Sequence, residues 1–269
     1  MPKRAVGRET PPIQSLDRGL MMLDAVARSP EPVSLSQLTV LLGIDRSSVF
    51  RLAQTLRRRG FLATPAGRKD YILGSAMWTL SRQYDWGNML VRVAHEELKS
   101  LAQGLNETAH LAIREGKNAL FIDSVHARHV IVVAGQTGEL VPLYATAHGK
   151  ALLADCTEAD LKLIFGPKKM EPYTSTTVMT VPALAKECVR IRQRGYAMDE
   201  AEFMEGVRCV AAPIRLADRT VVGSVGISAP ASRFLKEHCA GHSARVVECA
   251  RRIGEMLSVA EDGMSANGA

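Results

Sequence analysis

The sequence predicts an α+β protein of two modules: an N-terminal winged helix-turn-helix and a larger C-terminal domain whose mainly antiparallel sheet is flanked by helices. Three observations predict it. At 269 residues the chain exceeds one average domain and accommodates two. Apolar residues recur at helical spacing through the first 60 or so positions, and strand-like alternation takes over from Thr108. The charge is also split. Residues 1–85 carry 13 Lys and Arg against 7 Asp and Glu, whereas the remaining 184 residues carry 21 of each. A basic module joined to a neutral one is the layout expected when one part meets a polyanion, although a solvated basic face is the plainer alternative.

Residues 1–12 are polar and Pro-rich and read as a disordered arm. From Ile13, the side chains Leu16, Leu20, Leu23, Val26 and Ala27 fall at three- and four-residue steps on one helical face, which Ser29-Pro30-Glu31-Pro32 ends. Ser34 suits the N-cap of a second helix over 35–42, stopped by Gly43. Asp45 then caps a third helix over 46–59, stopped by Gly60. Short β-like runs at 61–63 and 71–73 flank TPAGRKD, whose Pro and Gly mark a hairpin turn and complete a module over 13–74. Residues 75 to about 103 are helix-like, and Gly87 is the expected point of division, giving a linker helix over 75–88. Strands are predicted at 108–115, 119–125 and 130–134, then helices at 148–154, 158–165 and 181–194. Strands return at 196–199, 208–216 and 221–228, and a helix over 234–257 closes a domain spanning 89–258. The tail 259–269 reads as disordered.

Composition excludes several classes. No stretch approaches the roughly 18 uninterrupted apolar residues of a membrane helix, and the basic N-terminus has no apolar core behind it, so a cytoplasmic protein is expected. Five widely spaced cysteines without a C-x-x-C pair argue against a disulfide framework and a thiolate zinc site. His126 and His129 lack carboxylate or thiolate company, so neither a metal nor a cofactor is expected.

The segment SLSQLTVLLGIDRSSVFRLAQTL meets the packing needs of a helix-turn-helix. Gly43 tolerates the turn, and Leu38, Leu42, Ile44, Val49 and Leu52 supply the inward side chains. The face left outward carries Arg46, Ser47, Phe50, Arg51 and Gln54, with Ser48 beside them at the helix start. Arg pairs bidentately with guanine, Gln with adenine, Ser with base or phosphate, and an aromatic edge packs on a thymine methyl. Arg57, with Arg58 and Arg59, suits phosphates or solvent at the helix end, and Arg68 and Lys69 on the wing suit the DNA backbone or minor groove.

These motifs resemble the IclR family of transcriptional regulators over about residues 13–257. The blocks are IQSLDRGLMMLD, LGIDRSSVFRLAQTLRRRGFL and YILG in the first module, and YATAHGKALLA, RQRGYAMDEAEFMEGVRCVAAPI and VGISAPASR in the second. Their shared order and spacing make the match specific. The resemblance implies a GAF-like effector domain behind the linker helix and a homodimer or dimer of dimers on an inverted-repeat operator. It also implies a small carboxylate effector whose binding controls operator affinity, with repression favoured over activation. Carried over position by position, its pocket residues are Ala147, His148, Gly149, Asp199, Cys209, Gly226 and Ser228. A turn entering a helix near His148 or Gly149 also presents free N–H groups suited to a carboxylate. His148 replaces a small residue of the family, and Gly226 stands where a hydroxyl is common, which implies an aromatic or bulkier acid than a short oxo-acid.

Plainer readings stand beside these. Cys209 suits the core, Asp199 a local cap or an ion pair with Arg208, and His148 a cap of its own helix. Taken as nucleophile, base and orienter, Cys209, His148 and Asp199 would instead make an enzyme, but the sequence offers no nucleophile turn. A purely architectural DNA binder would leave the large neutral domain without a role.

Overall fold

A computed structural model of the chain describes residues 13–82, 85–126, 128–129, 133 and 135–266. It divides into two compact units, Met1–Asp85 and Trp86–Ala269. The arm expected at 1–12 lies outside the described residues.

The first unit runs α1 (Gln14–Arg28), α2 (Leu35–Leu42), α3 (Arg46–Arg58), β1 (Leu62–Ala63), β2 (Ile72–Leu73) and α4 (Ser75–Arg82). Ser34 and Gln37 form a reciprocal capping box on α2, and Gly43 ends that helix in the left-handed region at φ 61°. Asp45 Oδ1 accepts the Ser48 N–H at 3.0 Å and so opens α3. The antiparallel β1–β2 pair is the wing, and Val33 bridges to Tyr71 beside it. Met22, Val26, Leu38, Val49, Ala53, Leu62 and Tyr71 fill the core, with Leu42, Ile44, Leu52 and Leu56 packed against it. The buried face of α1 differs from the expected one: Gly19, Met22 and Val26 turn inward, while Leu16 and Leu20 stay 60% and 54% exposed. This helix carries two apolar stripes, and periodicity alone cannot choose between them.

In the second unit, α5 (Asp85–Leu105) leads into β3 (Thr108–Glu115), β4 (Asn118–Val125), β5 (Leu140–Pro142), α6 (Ala147–Leu152), α7 (Glu158–Phe165) and α8 (Val181–Arg194). The remainder is β6 (Ala197–Glu200), β7 (Val207–Arg215), β8 (Val221–Pro230) and α9 (Cys239–Ala266). The six strands form one sheet in the order β5-β4-β3-β8-β7-β6, with antiparallel neighbours throughout. Strand alternation divides it into two faces. Leu111, Val210, Val225 and Ile227 pack with α5 and α9, whereas Ala112, Phe121, Cys209 and Ala211 face α6, α7 and α8.

Several expected boundaries are corrected. Gly87 lies inside α5, so the linker expected over 75–88 is α4 followed by the first turn of α5. Residues 259–266, expected as part of a disordered tail, continue α9, a stretch with one Gly, at about 1 kcal/mol, and no Pro. That helix also starts at Cys239 behind a 3₁₀ turn, later than expected. The three-residue β5 was too short to show an alternation. Most of the strand expected at 130–134 lies outside the described residues.

Candidate functional site

The residues singled out from the sequence gather on two surfaces. On α3, Arg46, Ser47, Phe50, Arg51 and Arg57 are exposed, and Ser48 and Gln54 are half-buried. The cap fixes the start of this face. The Ser47 hydroxyl donates to Asp45 Oδ1 at 2.6 Å, and Arg46 Nη1 donates to Ser36 Oγ at 3.0 Å. Hydrogen bonds from Ser47 and then Ser48 hold the Asp45 carboxyl well below the usual carboxylate range. Arg68 and Lys69 are exposed on the turn of the wing.

The second surface is a cavity of about 80 Å³ between α6 and the sheet. Sheet register builds its floor. Asp199 of β6 pairs with Cys209 of β7, which pairs with Ser228 of β8, setting three polar side chains in one row. Cys209 Sγ donates to Ser228 Oγ at 3.2 Å. His110 of β3 stacks on Phe121 of β4 with centroids 4.5 Å apart, and the His148 ring stands edge-on to Phe121 at 5.2 Å. The roof is the start of α6 with the loop after β6, through Thr146, Ala147, His148, Phe203 and Met204.

That loop is tied from several sides. Ala201 holds a left-handed φ of 60°, and the Thr174 and Thr176 hydroxyls donate to its carbonyl at 2.7 and 2.9 Å. The Thr177 hydroxyl donates to the Glu202 carbonyl at 2.6 Å, and the Glu202 N–H to Asp199 Oδ1 at 2.7 Å. The Glu202 carboxylate pairs with Lys150, both buried.

Burial dominates the electrostatics. It pushes the Asp199 carboxyl up to about 7 despite the Glu202 N–H and nearby Lys150, and it raises Glu202 as well. It pushes His148 down to about 3 and His110 well below its usual value, so both imidazoles are neutral. The Cys209 thiol is raised far above its ordinary range. His148 Nδ1 meets Ser224 Oγ at 3.1 Å, whereas its buried Nε2 has no partner among the described residues.

Of the expected pocket residues, Ala147, His148, Asp199, Cys209 and Ser228 line this one cavity. Gly149 and Gly226 do not. The Gly149 N–H is taken by the Thr146 hydroxyl at 3.1 Å, and a Cβ there would lie 2.3 Å from Leu143 Cα. A Cβ at Gly226 would lie 2.3 Å from the Val210 carbonyl oxygen, so close packing explains that glycine. His148 is buried and Thr146 caps α6 in its place. Asp199 does act as a local cap, for Glu202, while Arg208 Nη1 donates to the Phe234 carbonyl. Sequence reading missed His110, Phe121, Lys150 and Glu202. The one available signal was His110, a polar residue within the apolar run of β3.

The sequence matches two described families, IclR helix-turn-helix domain over residues 15–65 and Bacterial transcriptional regulator IclR C-terminal over 87–255. It is 28% identical over 254 residues to the Transcriptional repressor IclR of Escherichia coli K12, covering 94% of this chain and 93% of that one. The structure of the Thermotoga maritima IclR shares 28% identity with a TM-score of 0.73, over 92% of this chain and all of that one. An IclR homologue from Microbacterium hydrocarbonoxydans, complexed with 4-hydroxybenzoate, shares the fold at a TM-score of 0.78 and 18% identity, over 91% of this chain and 99% of that one. With both modules matched over most of its length, the chain belongs to the IclR family of transcriptional regulators.

Proposed function

We propose that this regulator represses its target genes by seating α3 in the major groove of an inverted-repeat operator, and that a small organic acid in the cavity of the second unit controls that grip. The observation that carries the effector reading is the cavity itself. It is lined by a buried imidazole whose Nε2 has no partner among the described residues, beside Asp199, Cys209 and Ser228. The rings of His110, Phe121 and His148 favour a planar acid, and the same fold elsewhere holds 4-hydroxybenzoate. Repression follows relatives such as the Escherichia coli protein, a transcriptional repressor.

A two-fold assembly in the cytoplasm belongs to the same reading. A single short helix reads too few bases for useful specificity. The outer stripe of α1, with Leu16 and Leu20, supplies apolar surface for a second copy. The enzyme alternative loses its support at Cys209, whose raised thiol bonds Ser228, while His148 bonds Ser224. Mobility shift on the protein's own upstream DNA tests the proposal. Sequence-specific binding weakened by a small acid is expected, and ester or amide turnover without specific binding would overturn it.

A further inference from the structure

The charges around the cavity do not match an anionic ligand as they stand. Among the described residues its lining holds no Lys or Arg, but it holds two carboxyl groups, Asp199 and Glu139. The nearest buried cation, Lys150 on α6, is committed to Glu202. The other titratable groups facing Asp199 supply no positive charge: His148 on α6 and His110 on β3 are neutral, and Cys209 on β7 keeps its proton. An ionised carboxylate entering this space would meet Asp199 with no counter-ion left to offset either. A protonated Asp199 removes that conflict and adds an O–H donor at the floor, in the row with Cys209 and Ser228.

We infer that the pocket takes a monocarboxylic acid together with one proton, and that the proton resides on Asp199. This rests on the effector reading above and sharpens it. A dianion would need a second proton or a cation that the lining does not provide, so dicarboxylic acids are excluded. The carboxyl is already poised for the role, because its burial places it near half-protonation at neutral pH in the empty pocket. The ligand's own negative charge then shifts it further toward the protonated form. Below neutrality the proton is already in place and binding takes up almost none. Above it, each ligand draws about one proton from solution, and the apparent affinity falls by up to about tenfold per pH unit.

Pyruvate, benzoate, phenylacetate and 4-hydroxybenzoate, with succinate and phthalate as dicarboxylate counterparts, are screened on the full-length protein by thermal shift. The best binder is then titrated calorimetrically in buffers of different ionisation enthalpy. Proton uptake should rise from near zero at about pH 5.5 to about one per ligand at about pH 8.5, with neither dicarboxylate bound. Asp199→Asn should bind the same acid with no proton uptake and no pH dependence. Tight binding at the higher pH without uptake would overturn the inference and point to Lys150 as counter-ion. Uptake that survives in the Asn variant, or a bound dicarboxylate, would overturn it too. If no monocarboxylate binds, the acid-effector reading beneath it fails instead.

Discussion

Asp199 is held in the folded chain at a cost that depends on pH. Its carboxyl titrates near 7 when folded, because of burial, against 3.8 as its ordinary value. Between those values the native state holds a proton that the unfolded chain has released, so this group's contribution to stability falls as pH rises from about 4 to 7 and is level above. Asp199→Asn keeps an oxygen to accept the Glu202 N–H and removes the ionisation. The variant's stability advantage should therefore grow by on the order of 2 kcal/mol between about pH 5 and pH 8, read by denaturant unfolding of both proteins. Its neighbour works in the opposite sense. His148, pushed down to about 3 by burial, adds stability as pH rises from about 3 to 6.5, so only the variant-to-parent difference isolates Asp199. Such single-residue roles were the least legible part of the sequence. The family pattern marked Asp199, Cys209 and Ser228, but no spacing connects Lys150 with Glu202, 52 residues away, because only the folded sheet brings α6 over the loop behind β6.

At the scale of elements, the α3 face was legible because a cap, a turn glycine and five inward apolar positions are all local. Arg51 stands outward near the middle of that helix. Arg51→Ala should weaken specific operator binding by about 1–3 kcal/mol and flatten preference at one base, whereas equal loss on random DNA would make it a phosphate contact. What local pattern cannot supply is the partner of each face. Both apolar stripes of α1 obey the helical period, and only contact with α2, α3 and the wing decides which is buried. The same limit applies to Gly149, which reads as a helix-start glycine but serves close packing. Gly149→Ala should destabilise the protein by about 3 kcal/mol in equilibrium unfolding, since its methyl meets Leu143 backbone that has no room to retreat. An effect under about 0.5 kcal/mol would show that the start of α6 yields.

For the whole molecule, the charge split predicts two independent salt responses. Operator affinity should fall steeply with salt, with a log–log slope of about −5 or steeper if six phosphates are neutralised, while acid affinity changes little. Linkage adds a constraint: an acid that weakens operator binding by some factor must itself be weakened by operator through the same factor, which calorimetry of the full chain can check on both sides. The two-faced sheet bears on how such a signal begins. Beneath the cavity, every floor residue alternates along its strand with one that anchors α5 and α9, as Cys209 does with Val210 and Ser228 with Ile227. Lowering that floor would break strand pairing and loosen the opposite core together, so the floor behaves as an anvil. Ligand bulk is then felt almost wholly upward, by α6 and the loop that the hydroxyls of Thr174, Thr176 and Thr177 fasten down. If the cavity holds the proposed acid, those three short hydrogen bonds act as the spring against which its size is weighed, and trimming them should widen the range of acids admitted without altering the floor.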